Sequence, residues 1–183
     1  LTHKIVSLMK KCILGLCLLG LTNLIHAQNE LAMATTNVDE ITTKTSKTTK
    51  IKNEQYLTSN TNDVLYLAAR IMKLQKIAAD FDVTKDAIYS KNKTITYDVV
   101  FEANENYIKA VFDHSGTILS SEEYYEDVRI PYVLSSQLAE EYPGWAFDKS
   151  NCTILYSKKG EATFTYNLKL KKGNKSKLIR RKS

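Results

Sequence analysis

From residue 94 onward the apolar residues recur at every second position. In "TITYDVVFE", Ile95, Tyr97, Val99 and Phe101 alternate with Thr96, Asp98, Val100 and Glu102. That is the period of a strand with one face buried. "ANEN" turns the chain, and "YIKAVFD" then sets Ile108, Ala110 and Phe112 on one side. After "HSG", "TILSSEEYYED" continues as a third strand, so the three form an antiparallel meander. A second group of strands closes the chain. "WAFDKSNCTILYS" reads as a kinked strand, and "EATFTYNLKL" alternates Ala162, Phe164, Tyr166, Leu168 and Leu170 against polar neighbours. Gly173-Asn174 is a two-residue hairpin signal. The last strand, "KSKLIRRK", is basic and suits a sheet edge, where lysines discourage edge-to-edge pairing.

The period becomes helical in two places. Val64, Leu67, Ile71, Leu74, Ala78 and Phe81 share one helical face, which predicts a helix from about Asn62 to Lys76. Asn62 or Asp63 can cap its start, and residues 77–83 fit either a helix or an extended segment. The second helix runs through "PYVLSSQLAEEY". Pro131 suits its first turn, Leu134, Leu138 and Tyr142 recur at four-residue spacing, and Pro143-Gly144 ends it. Trp145 then packs on the end of that helix. These elements define an α+β class: an antiparallel sheet of about five to seven strands against one or two helices.

The N-terminal third has a different grammar. Met9-Lys10-Lys11 precedes the apolar run "CILGLCLLGLTNLI" and then His26-Ala27-Gln28. A basic region, a short apolar region and a small residue make a secretory signal peptide cleaved after Ala27. The apolar run is shorter than the ~20 residues a membrane span needs. The expected organisation is therefore a signal peptide over 1–27, with Met9 as its natural start, a Thr/Lys/Asn-rich disordered linker over 28–60, and a folded domain over 61–183. Such a chain is exported, to the periplasm or the medium, with no membrane span left after cleavage.

Export changes the chemistry on offer. Cys12 and Cys17 leave with the signal, so Cys152 stays as the one cysteine and is expected to be a small buried apolar residue. Of the three histidines, only His114 remains, which gives no zinc site. No GxGxxG, GxxxxGK[ST] or GxSxG pattern occurs. Asp113, His114 and Ser115 are triad residue types, but they are consecutive, and consecutive side chains diverge rather than converge. Asp113-x-x-Gly116 instead fits a tight turn, with the Asp capping it and the Gly at positive φ. The sequence thus gives no catalytic residues, no cofactor and no metal site.

Charge is uneven. The 15 residues from Lys169 to Ser183 hold 8 Lys+Arg and no acid, while residues 28–168 hold 15 basic and 20 acidic residues. An acidic body ending in a basic edge points to self-complementary packing or to docking on an acidic surface, and not to nucleic acid, which an exported protein rarely meets.

The stretch "YDVVFEANENYIKAVFDHSGTIL" resembles the core of a PepSY-like domain: a strand ending in an aromatic, a short turn, a strand ending in Asp, two residues, Gly, and an apolar strand. The helix followed by "YPGW" and another strand is similar to the β-lactamase-inhibitor-like PepSY group, of the type secreted by Bacteroidetes. The resemblance covers about residues 64–183. It implies a non-enzymatic exported module that binds a protein or peptide and is associated with protease modulation. It carries no catalytic residues over to this chain.

The interface candidates come from the residues themselves. Glu122, Glu123, Tyr124, Tyr125, Glu126 and Asp127 interleave acids with tyrosines, and tyrosine is a frequent interface anchor. The alternative function is an envelope protein that binds cations or an anionic polymer, through this acidic patch or through the basic C-terminal edge around Lys177, Arg180 and Arg181.

Overall fold

A computed structural model describes residues 31–37, 52–59 and 69–182. The strands are β1 (Leu31–Asn37), β2 (Thr96–Ala103), β3 (Asn106–Phe112), β4 (Ile118–Glu126), β5 (Ala146–Ser157), β6 (Thr163–Lys172) and β7 (Lys175–Lys182). They form one sheet in sequence order. From β2 to β7 every pairing is antiparallel, and β1 adds to β2 in parallel. The helices are α1 (Glu54–Ser59), α2 (Ala69–Asp80) and α3 (Tyr132–Glu141). This is an α+β fold.

The alternation read from the sequence sets the inner face. Tyr97, Val99 and Phe101 of β2, Ile108, Ala110 and Phe112 of β3, and Phe164, Tyr166, Leu168 and Leu170 of β6 are all buried. Cys152 is buried on β5 beside Ile154 and Tyr156. Helix α2 packs on β2 and β3 through Ile71, Leu74 and Ala78, at spacings of three and four. Each large apolar side chain buried this way contributes roughly 1.5–3 kcal/mol. Its helical path continues to Asp80, and a short 3₁₀ turn follows over Val83–Lys85. Val64, Leu67 and the capping positions Asn62 and Asp63 lie outside the described residues, as does the signal segment 1–27.

The linker expected over 28–60 is corrected at two places. Residues 31–37 form β1, and residues 54–59 form α1. The Thr-rich composition hid two anchors for α1. Tyr56 is 1% exposed, with its ring edge-on to Tyr156 at 5.2 Å. Asn53 is buried, and its amide Nδ2 donates to the carbonyls of Ala79 (3.1 Å) and Gly116 (3.2 Å), while its Oδ1 accepts from the Ile118 amide (2.8 Å). One side chain thereby ties α1, α2 and the start of β4 together.

At the other end, α3 begins after Pro131 and buries only Leu138. The Tyr142 amide closes it on the Leu138 carbonyl at 2.9 Å, and Gly144 takes φ +77° beyond it. Trp145 is partly buried against the core. The kink expected in β5 appears as a register shift between Phe147 and Lys149. β7 is the edge strand.

Candidate functional site

The Asp113–Gly116 run is a turn. The Gly116 amide donates to the Asp113 carbonyl at 2.9 Å, and Gly116 sits at φ +79°. Asp113 Oδ1 accepts from the Ser115 amide (2.8 Å), the Ser115 hydroxyl (2.6 Å) and the Thr117 amide (2.9 Å). Burial alone would raise the Asp113 pKa, but these donors outweigh it and hold the carboxyl below its ordinary value. The ring of His114 lies 6.0 Å from that of Tyr89. The three residues thus make a capped turn in which the Ser115 hydroxyl donates straight to the acid, whereas a triad places the histidine between them.

The acidic-aromatic cluster at 122–127 is divided between the two faces of the sheet. Glu122 is exposed, Tyr124 and Glu126 are half-buried on the outer face, and Asp127 is exposed at the strand end, at φ +50°. Glu123 and Tyr125 are both 0% exposed, so neither belongs to an interface surface. The cause is a bulge. Phe112 pairs with Ile118, but Val111 pairs with Ser120, so Leu119 is one residue extra. Both Ile118 and Ser121 are buried, and from there the inward positions are Ser121, Glu123 and Tyr125. A one-residue register change exchanges the faces of everything beyond it.

On the inner face Glu123 organises a polar cluster. Its Oε1 accepts from the Tyr56 hydroxyl (2.7 Å) and the Ser121 hydroxyl (3.0 Å). Its Oε2 accepts from the Tyr125 hydroxyl (2.6 Å) and the Gln75 amide (2.9 Å). The donors come from α1, α2 and β4, so the carboxylate joins the helices to the sheet. Burial first, then the adjacent Glu123 carboxylate, pushes the phenols of Tyr56 and Tyr125 well above their ordinary pKa. Both therefore remain hydrogen-bond donors at neutral pH.

On the outer face the partners are side chains that the cluster 122–127 does not contain. β3 sets Tyr107 opposite Tyr124 and Lys109 opposite Glu122. The two tyrosine rings stack at 5.6 Å with an interplanar angle of 19°. The Tyr107 hydroxyl donates to Glu122 at 3.3 Å, and the Tyr124 hydroxyl donates to Glu126. The hydrogen bond to Glu126, together with burial, pushes the Tyr124 phenol up to about 12. Lys109 Nζ lies 4.9 Å from the centre of the Tyr107 ring. Arg70 of α2 donates to the carbonyls of Glu126 and Asp127, which fixes the strand end. Tyr107 and Lys109 were findable from sequence only through the bulged register, which residue types alone do not announce.

Chemically, this outer patch offers two ordered aromatic rings, two carboxylates and one ammonium. Among the described residues there is no group of three or more His, Cys, Asp or Glu side chains placed to hold a metal ion. Among the same residues no helix is long and apolar enough to cross a membrane. No protein-family model, curated protein or solved structure matches this chain.

Proposed function

We propose that this chain is an exported, non-catalytic binding module of PepSY-like type, which captures a protein or peptide on the outer face of its sheet. The observation that carries the reading is the stacked Tyr107–Tyr124 pair, held half-exposed and flanked by Glu122 and Glu126. Its rings are ordered before any partner arrives, so little side-chain freedom is lost on binding. Tyrosines in such a setting act as anchors, and neighbouring carboxylates steer a basic partner. The signal-like residues 9–27 and the resemblance over 64–183 support export and the module type. At Asp113–Ser115 the hydrogen bonds serve the turn, so these residues need no catalytic explanation.

The test is affinity capture from periplasm and medium with the wild-type chain and with Tyr124→Ala and Tyr107→Ala. A partner retained by wild type and lost by both variants, with circular dichroism unchanged, is the expected result. The carboxylates should act mostly on association rate, and that contribution should fade with salt. If the folded tyrosine variants retain every partner, this face is not the binding surface.

A further inference from the structure

We propose that the edge of β7, with the groove beside it on the outer face of β5–β7, binds an extended acidic peptide segment by strand addition. This surface lies further along the same outer face, on β5–β7 rather than at the Tyr107–Tyr124 pair of β3 and β4, and does not depend on that reading.

Three observations converge here. The first is the unpaired edge: β7 is the terminal strand, and no described strand pairs with its far side. Along such an edge, backbone amides and carbonyls are left to pair with an incoming chain. The second is charge. Alternation along β7 sends Lys177 and Arg181 to the helix side, where Lys177 lies 4.4 Å from the centre of the Tyr142 ring and Arg181 pairs with Glu141 at 2.7 Å. Asp148 holds Lys169 (3.5 Å) and Lys171 (2.6 Å). Of the outward cations of β5–β7, that leaves Lys149, Arg180 and Lys182 with no acidic partner among the described residues, and all three are exposed. The third is shape. A groove of about 300 Å³ runs between the strands, lined by Lys149, Asn151, Asn167, Lys169, Leu178 and Arg180. Asn167 donates to Asn151 at 2.8 Å across its floor. Leu178, on the same outward row as Arg180 and Lys182, is 82% exposed, the most exposed large apolar residue described.

The occupant follows from these features. A second copy would bring five Lys or Arg residues of its own β7 against these five, which like-charge repulsion disfavours. An acidic strand reverses that sign. Paired antiparallel to β7, a peptide would place successive same-face residues opposite Lys182, Arg180 and Leu178. Read from its N-terminus, it would carry acid, any residue, acid, any residue, apolar. Main-chain hydrogen bonds supply affinity, while the carboxylates and the apolar side chain supply selection.

The test uses the full chain and a fluorescein-labelled peptide, Thr-Glu-Thr-Glu-Thr-Leu-Thr-Val. A scrambled peptide of the same composition and a sulfated polysaccharide serve as competitors. Fluorescence anisotropy is read at about 20 mM and about 300 mM salt, a range over which screening removes exposed charge effects. Amide hydrogen exchange of β7 is followed in parallel. The expected result is tighter binding of the patterned peptide than of the scrambled one, with slowed exchange along β7. The double variant R180E/K182E should lose about tenfold or more in affinity, and Leu178→Ser a smaller amount. Lys175→Ala should bind like wild type. No binding would overturn the proposal. So would equal competition by scrambled peptide and polysaccharide without slowed exchange at β7, because the surface would then be a simple polyanion attractor. Loss of peptide binding in Tyr124→Ala alone, with R180E/K182E unaffected, would place the peptide at the Tyr107–Tyr124 pair instead.

Discussion

The two faces of β4 use the same residue types for opposite purposes. Glu123 and Tyr125 point inward, fully buried, and bond to each other and to two helices. Glu122, Tyr124 and Glu126 point outward, and their side chains hydrogen-bond within the β3–β4 hairpin. The inner pair is part of what holds the helices to the sheet, since each of its polar atoms is desolvated and must keep its donors. The outer set has water as an alternative partner, so its hydrogen bonds add little to folding and leave its side chains available. Side-chain chemistry alone does not decide the role of an acid or a tyrosine; the parity of its strand position does.

The largest expected effect tests that contrast directly. Tyr125→Ala should destabilise the chain by about 3–5 kcal/mol, the range for emptying a large aromatic site, and it also withdraws a donor from Glu123. Tyr124→Ala should cost about 1 kcal/mol or less. Urea unfolding of both variants measures the difference. Equal losses would mean that the bulge does not set the phase described here.

Alkaline titration sharpens the comparison. The Tyr56 and Tyr125 phenols are raised well above 10.0, mainly by burial. A raised folded pKa means that stability is complete below the unfolded value, near pH 10, and is lost as pH climbs through the folded values. The inner phenols should therefore ionise only together with unfolding, so phenolate absorbance and far-UV circular dichroism change as one transition. Tyr124, raised to about 12 by its bond to Glu126 and by burial, obeys the same linkage but is half-exposed, so its own ionisation, followed by site-specific labelling, should lower stability without requiring the inner cluster to open. A chain that keeps its circular dichroism while both inner tyrosines ionise would contradict the buried cluster.

A smaller loss is expected at the turn that leads into β4. At Gly116 a valine would have to adopt φ +79°, and its Cβ would meet Lys52 Nζ at 2.5 Å. The lysine tip can move, but the backbone cannot, so Gly116→Val should cost about 1–3 kcal/mol. Gly160 has open space around it, and Gly160→Ala should change thermal unfolding little by comparison.

Much of the inner face was legible because period-two alternation needs no tertiary information. The rows Tyr97–Phe101, Ile108–Phe112 and Phe164–Leu170 are buried as their spacing requires. The Asp113–Gly116 turn was legible from local chemistry. The faces of β4 were not. Counting every second residue from Ile118 sends Glu122 and Tyr124 inward, and only the extra residue at Leu119 reverses this. A cluster quoted as six neighbouring residues was thus two surfaces back to back. Helix α1 escaped notice because Tyr56 and Asn53 act through long-range partners, and a six-residue helix has no period strong enough to rise above polar neighbours. The charge asymmetry of the C-terminal strands was plain in the sequence, but not which cations were already paired.

The smallest effect concerns the stacked pair itself. Tyr107 and Tyr124 sit opposite each other on neighbouring strands with their rings nearly parallel. Cross-strand aromatic pairs on an accessible face contribute about 0.5–1 kcal/mol beyond the separate side chains. A double-mutant cycle on unfolding, with Tyr107→Ala, Tyr124→Ala and the double variant, should return a coupling of that size. The rings then serve chiefly as a preformed surface, because the sheet beneath them is held by the inner face. Under that arrangement, the same variants should lose partner retention far more than they lose stability. A coupling well above 2 kcal/mol would reverse the comparison, since the outer tyrosines would then be a second structural cluster. Small coupling with unchanged retention would leave the hairpin intact and move the search for the binding surface toward Arg180 and Lys182.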